Sequence, residues 1–280
     1  MKQWTSGPTV CKNNDMSLAD EYVLSKADID RFNNDGWVLL RSVCSPEEIA
    51  TYEVAIRSAA LQHNRETRPL EERDTYGKAF LQIMNLWRVH PKAAEFTLAR
   101  RFASIAARLL KVDRVRLYHD QALFKEPGGG PTPWHQDGFF WPLDQAKTVT
   151  MWMPLVDVPI EMGSMSFADG SHKGGIISLE DGISDASEAF YEQYVCDRGL
   201  EVRTSGEMRA GDATFHTGLT LHKAPNNPTD RLREVMTIIY FADGQTIQEP
   251  KNDFQANDVA SWFPGLKPGD LAASELNPVL

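Results

Sequence analysis

The sequence predicts a mainly β protein with N-terminal helices, and three observations carry that expectation. After residue 112, short β-prone runs recur, split by Gly, Pro and Asp. That half shows no alternation of strand and helix, which excludes a parallel βαβ sheet and leaves a sandwich or barrel. Before residue 112 the strongest signals are helix starts and Ala-, Leu- and Arg-rich segments. A chain of 280 residues can bury a large core without staples, and all-β folds of this size often form one domain. We therefore expect a single domain over 1–280. Its parts are an arm or lid (1–24), mostly helical support (25–110), a β core (112–243) and a C-terminal wrap (244–280).

Residues 1–24 are polar and weakly patterned. Ser25 can cap a short helix carrying Ile29 and Phe32, which Asn34-Asp35-Gly36 stops. Trp37–Leu40 reads as a short buried strand. Ser45-Pro46-Glu47-Glu48 joins an N-cap, a Pro at the first helical position and a capping-box Glu, so a helix should run to about Gln62. The charged residues 63–78 read as a mobile loop, with 65–73 a solvated face. Residues 91–110 read as one or two helices. The β runs are 115–125, 148–158, 164–169, 212–224 and 233–243, interrupted by a long insertion at about 172–200. The tail 244–280, rich in Asn, Asp, Gly and Pro, reads as surface wrap.

Composition excludes several function classes. Apolar residues make up 42% and charged residues 24%, which argues against global disorder. Lys+Arg total 29 against 39 Asp+Glu, a net charge of −10, whereas a nucleic-acid partner asks for a basic face. No window approaches the roughly 18 apolar residues of a membrane span, and the N-terminus lacks the apolar stretch of a secretory signal. The three cysteines (Cys11, Cys44, Cys196) are odd in number and far apart, which fits a reducing cytoplasm. The expected partner is a small molecule; oligomeric state is not legible.

The informative histidine lies in Pro133-Trp134-His135-Gln136-Asp137. On extended chain, positions i and i+2 share a face, so His135 and Asp137 can reach one ion. A second histidine from the later strands would complete two histidines and one carboxylate, the pattern of non-haem Fe(II) oxygenases. The preceding Gly128-Gly129-Gly130-Pro131-Thr132-Pro133 reads as a flexible loop at a site mouth. His222 is followed eleven residues later by Arg233. A turn at Asn226–Asp230 would lay the next strand antiparallel and bring Arg233 beside the metal, where its guanidinium suits bidentate capture of a carboxylate.

These stretches resemble the phytanoyl-CoA dioxygenase (PhyH) family of Fe(II)/2-oxoglutarate-dependent oxygenases. The resemblance rests on FKEPGGGPTPWHQDGFFWPLD (124–144), TMWMPLVDVPIEMGSMSFADGSHKGG (150–175) and GDATFHTGLTLHKAPNNPTDRLREVMTIIY (211–240), with DGWVLLRSVCSPEEI at 35–49. It implies a double-stranded β-helix, the cupin-like jelly roll, and the cofactors Fe(II), 2-oxoglutarate and O₂. Carried over residue by residue, it implies His135, Asp137 and His222 as catalytic iron ligands. It places Arg233 on the far carboxylate of 2-oxoglutarate, and Gln121, Trp152 and Lys78 as further cosubstrate contacts. The family often has Ser two residues after the distal His; Ala224 stands here, so either Arg233 does more alone or Thr217 or Thr237 helps it. Halogenating relatives carry a small residue in place of Asp137, so hydroxylation, desaturation or ring formation is expected.

Blander readings apply elsewhere. His216 competes with His222, sharing its strand parity, but the spacing to Arg233 favours His222 and makes His216 a core or supporting histidine. His119 reads as a strand histidine with a satisfied hydrogen bond, His172 as a turn residue and Arg231 as a solvated turn charge. Met151, Met153, Met162 and Met165 read as core fillers. Of Phe139, Phe140 and Trp141, one or two should be core and the rest should line the substrate pocket. Two other classes compete with an oxygenase: a jelly-roll Zn²⁺ hydrolase or isomerase, and a non-catalytic small-molecule-binding protein. The substrate is expected to be a small lipophilic compound or secondary metabolite, chosen by segments 1–24, 63–80, 172–200 and 244–262.

Overall fold

The computed structural model describes residues 18–177 and 182–280. Most of the expected arm at 1–24 and part of the 172–200 insertion lie outside the described residues. Ser25 caps α1 (Lys26–Asp35) in a reciprocal capping box with Asp28, and Ser45 caps α2 (Pro46–His63) in the same way with Glu48. Each box satisfies two backbone donors that a helix start leaves open. Gly36 ends α1 in the left-handed conformation (φ 88°) and hands the chain to β1 (Trp37–Leu40).

The 63–78 segment differs from the loop expected. It carries α3 (Thr75–Ala79), capped by Asp74, and leads into β2 (Leu81–Met84), which is too short for its alternation to register in the sequence. Nor is 65–73 wholly solvated. Arg73 is buried in an ion pair with Glu126, a partner that local charge patterning cannot reveal. Residues 91–110 form two helices, α4 (Pro91–Thr97) and α5 (Arg100–Leu110).

The remaining elements are β3 (Val115–Phe124), β4 (Thr132–His135), β5 (Thr148–Pro154), β6 (Ser166–Ala168), α6 (Asp185–Asp197), β7 (Val202–Thr204), β8 (Ala213–Thr217), β9 (His222–Ala224), β10 (Val235–Ala242) and α7 (Asp253–Trp262). They form two antiparallel sheets, ordered β1-β8-β5-β10-β3-β2 and β4-β9-β6-β7, between which the chain crosses repeatedly. This is the expected jelly roll. Two local readings change. The 212–224 run is two strands, β8 and β9, in different sheets. The Asn226–Asp230 stretch is no hairpin turn, because β9 and β10 also lie in different sheets. Asn227, fully buried, anchors that crossing by donating to the carbonyls of Lys125, Glu126 and Arg231.

β5 and β10 are buried along their whole length because both faces are covered. Val149, Met151 and Met153 on β5 and Met236, Ile238 and Tyr240 on β10 join one core with Ile56 of α2, Phe96 of α4 and Phe102 of α5. Each such side chain contributes about 1.5–3 kcal/mol by leaving water. The opposite parity, Thr150, Trp152 and Thr237, faces a cavity between the sheets. The tail is more than surface wrap: Ile247 and Phe263 are buried in a cluster with Tyr118 and Trp141. Among the described residues no helix is long and apolar enough to cross a membrane.

Gly36 has no room for a side chain. A Cβ there would lie 2.5 Å from His172 Nδ1 and 2.6 Å from Thr220 Oγ1, in a backbone region that L residues avoid. Gly36→Ala is expected to lose about 1–3 kcal/mol of stability, read as a lower urea midpoint with unchanged m-value.

Candidate metal and cosubstrate site

His135 ends β4, an edge strand that tolerates Pro133 because that position need not donate to a ladder. Asp137 begins a short 3-10 turn rather than continuing the strand. Gln136 between them is still extended (φ −118°, ψ 124°), so parity holds: 135 and 137 face inward and Gln136 faces out. Its amide clamps two neighbouring segments, donating to Gly175 and Leu219 carbonyls and accepting from the Ile177 N–H. His222 pairs directly across from His135. The Gly-rich loop before β4 is fastened rather than free, since Gly128 donates to the Asn227 carbonyl and Gly130 to that of Lys78.

The side-chain donors of His135, Asp137 and His222 lie within 4.8 Å of one another. Asp137 Oδ1 is 3.6 Å from Nε2 of each histidine. Each imidazole gives its Nδ1–H to a carbonyl two residues back, Pro133 at 2.8 Å and Thr220 at 3.0 Å. That pins the tautomer and turns both Nε2 lone pairs toward Asp137. Asp137 Oδ2 is occupied separately, by the Thr150 hydroxyl at 2.8 Å and His216 Nε2–H at 3.1 Å. Oδ1 is thereby left free for an ion. Burial works against the Asp137 charge, yet the surrounding imidazoles hold its carboxyl well below the usual range. Burial and the neighbouring imidazoles push His222 well below its ordinary value, which keeps it neutral and able to ligate. Two nitrogens and one carboxylate oxygen converging from one side are the donor set of a non-haem Fe(II) centre, and these residues fit it.

Arg233 stands in the same cavity, of about 420 Å³. It is 2% exposed, gives one N–H to the Gly163 carbonyl at 2.6 Å, and leaves its Nε–H with no partner. No carboxylate among the described residues pairs with it. Burial alone pushes its guanidinium down to about 9, still charged at neutral pH. It lies 5.4 Å from the ring centroid of Trp152. Gly163 is needed at this point: its φ is +91° and a Cβ would approach Arg233 Nη1 to 3.0 Å.

A profile of the phytanoyl-CoA dioxygenase (PhyH) family matches residues 32–235. The chain belongs to that family. Among proteins of known structure it is similar to the non-haem alpha-ketoglutarate-dependent carbocyclase SnoK from nogalamycin biosynthesis. The two share 26% identity over 98% of this chain and 100% of that one, with a TM-score of 0.72. The epimerase SnoN, solved with Fe³⁺, alpha-ketoglutarate and nogalamycin RO, shares 25% identity over 91% of this chain and 97% of that one, with a TM-score of 0.76. A probable alpha-ketoglutarate-dependent hypophosphite dioxygenase of Stutzerimonas stutzeri is 30% identical over 135 residues, 47% of each chain. The chain spans about half the length of the curated relatives it matches.

The PhyH fold brings Gln121, Trp152 and Arg233 to one cavity with the three metal donors. Gln121 and Trp152 flank Thr237 in register on β3, β5 and β10. Lys78 is not brought in; it sits on α3 beside the Gly-rich loop, outside the cavity wall. Phe140 and Trp141 line the cavity, whereas Phe139 packs against Phe140 and Phe254. His216 is the carboxylate's support, and parity is not the reason it and His222 both reach Asp137, since they come from different sheets. Met165 packs in a buried cluster with Trp37, Trp152 and Phe167, as expected, and also lines the cavity. His119 also lines it and has no hydrogen-bond partner at Nδ1, contrary to the satisfied role expected.

Thr132, Lys125, Thr150 and Asp258 are the functional candidates that sequence reasoning missed. Thr150 was reachable, because it shares Trp152's face of β5. Thr132 and Lys125 become visible only through pairing: Thr132 stands across from Ala224, and Lys125 forms a two-way backbone bridge with Arg233. Lys125 is fully buried, donates to the Gly130 carbonyl and reaches Thr132 Oγ1 at 3.5 Å. Burial, then the charge of Arg233, pushes its ammonium down to about 6. Thr217, expected to compensate for Ala224, is instead spent on the Thr220 hydroxyl.

Removing either donor to Asp137 Oδ2 should loosen the carboxylate. Thr150→Val and His216→Phe are each expected to weaken Fe(II) about 10–100-fold in anaerobic calorimetry, with binding retained at saturation.

Proposed function

We propose that this PhyH-family protein is an Fe(II)/2-oxoglutarate-dependent dioxygenase that oxidises an unactivated C–H bond of a small, lipophilic organic molecule of secondary metabolism, by hydroxylation. The observation that carries the reading is Arg233, a buried charge without an anion, placed in one cavity with three preorganised metal donors. A buried cation of that kind is stable only with a partner, and a dicarboxylate that chelates the metal by one end offers its other carboxylate there.

In this reading His135, Asp137 and His222 would hold the iron. Arg233 would hold the far carboxylate of 2-oxoglutarate. Lys125 donates to the Thr132 hydroxyl, which turns the Thr132 O–H toward that carboxylate and replaces the Ser absent at Ala224. Trp152, with Gln121 and Thr237 in the adjoining strand positions, forms the wall along which the cosubstrate lies. When bound, iron with 2-oxoglutarate and O₂ supplies the oxidising chemistry, releasing succinate and CO₂. The protein's own task is to fix the substrate C–H bond near the metal and to exclude water, which the aromatic side chains Phe140 and Trp141 suit. SnoK and SnoN, named for nogalamycin biosynthesis, support a secondary metabolite as substrate. Among the described residues Cys44 and Cys196 form no disulfide, in keeping with a cytoplasmic setting.

Anaerobic titration with Fe(II) and then 2-oxoglutarate is expected to raise a weak visible charge-transfer band, which His222→Ala abolishes and His216→Phe retains at saturating iron. Arg233→Ala is expected to weaken 2-oxoglutarate by about 2–4 kcal/mol while leaving Fe(II) binding within a few-fold. Tight Zn²⁺ binding with no band in the Fe(II) protein would overturn the reading.

A further inference from the structure

The cavity has a second polar feature, at the end away from Arg233. Register locates it. Gln121 pairs with Thr237, and Thr237 with Trp152, in the row nearer Arg233. His119 pairs with Ile239, Ile239 with Thr150, and Thr150 with His216, in the row beneath Asp137. Just beyond His119 the β3–β10 register slips between Ile239 and Tyr240, leaving Tyr118 as an extra residue. Such a bulge re-aims a side chain. Here the Tyr118 hydroxyl donates to Asp258 Oδ2 at 2.6 Å.

Asp258 lies on α7, which presents Phe254, Asp258 and Trp262 at helical spacing to this end of the cavity. Phe254 and Asp258 line it, and Trp262 packs on His119 at 5.1 Å between ring centroids. The surrounding wall is aromatic, with Phe140 and Trp141. No basic side chain among the described residues pairs with Asp258, and none acts on its ionisation. Lys223, which also lines the cavity, is held by Glu188 and Glu192. Lys125 is six residues beyond His119, just past the end of β3, about 20 Å of extended chain. His119 is 3% exposed, and its Nδ1 has no hydrogen-bonding partner among the described residues. Burial keeps it neutral by pushing it down to about 3, and pushes Asp258 up to about 6.

A carboxylate without a cation beside an imidazole Nδ1 without a partner, enclosed by aromatic rings, calls for a ligand that supplies N–H donors and positive charge. We propose that Asp258 and His119 are the specificity-determining residues and that the substrate is a lipophilic amine, its protonated nitrogen seated on Asp258 against the aromatic wall. The inference rests on the oxygenase reading, since it takes the opposite end of the cavity as the cosubstrate's. A neutral alcohol would satisfy the hydrogen bonds and leave the charge uncompensated, so amine and alcohol differ in the expected affinity.

The test uses the full chain loaded anaerobically with Fe(II) and 2-oxoglutarate, at pH 8, with 2-phenylethylamine and 2-phenylethanol as matched probes in calorimetry. The amine is expected to bind about tenfold or more tighter than the alcohol. In Asp258→Asn that preference should fall to about twofold or less, and His119→Phe should weaken the amine more than the alcohol. The charge-transfer band read in the same samples separates the two readings: without it the oxygenase assignment fails, whereas its presence in wild type and Asp258→Asn isolates the amine site. Equal affinities, a preference that survives Asp258→Asn, or no binding of either probe in band-positive protein overturns the proposal.

Discussion

The carboxylate of Asp137 joins the two sheets of this protein. One oxygen is held by Thr150 of β5 and His216 of β8, both in the six-stranded sheet. The other oxygen faces His135 of β4 and His222 of β9, both in the four-stranded sheet. A lone buried carboxylate is unstable, so the groups that neutralise it must come to it from both sides. Sheet separation, strand register and the turn after β4 all have to agree for that to happen. The site is therefore also a check on the fold: a one-residue slip of β5 or β8 would carry Thr150 or His216 to the helix-covered face.

The cavity around this carboxylate is divided by the strand rows beneath it. The row of Trp152, Thr237 and Gln121 leads to Arg233, the row of Thr150, Ile239 and His119 leads to α7, and the metal donors sit above the junction. In the proposed reading this would give cosubstrate and substrate separate ends and one meeting point. The buried charges follow the same division. Arg233 stands at one end without an acid, burial and then its charge push the neighbouring Lys125 down to about 6, and Asp258 stands at the other without a base. Burying unpaired charge costs stability, and functional sites are where such costs are borne. Alternation along β5 and β10 makes the arrangement compatible with a stable core, since the opposite face of the same strands carries Met151, Met153, Ile238 and Tyr240 against the helices.

Much of this was legible in the chain because the signals are local. Ser25 and Ser45 announced their helices through capping boxes, and Gly36 its stop, because those interactions span only a few residues. His135 and Asp137 could be paired because extended backbone has a period of two. His222 and Arg233 followed from spacing and family resemblance. The 63–78 segment was misjudged for the opposite reason: Arg73 is buried by Glu126, a distant partner, and local charge density looks the same whether solvated or paired. The tail was misjudged too, since its residues are buried against β3, β10 and the turn after His135, all distant in sequence.

The sequence by itself determined a helical half followed by a strand-rich half, the shared face of His135 and Asp137, and the presence of an arginine eleven residues after His222. These rest on short-range periodicity, capping and residue chemistry, which do not depend on the rest of the chain. Only the tertiary structure decided that Arg233 arrives by crossing between sheets, that His216 supports Asp137, and that Thr132 faces Ala224. It alone decided that a bulge at Tyr118 and a helix from the tail enclose Asp258 and His119. Those facts are cross-strand registers and contacts between segments far apart in sequence. They are set by the mutual packing of two sheets and their covering helices, which no local pattern encodes.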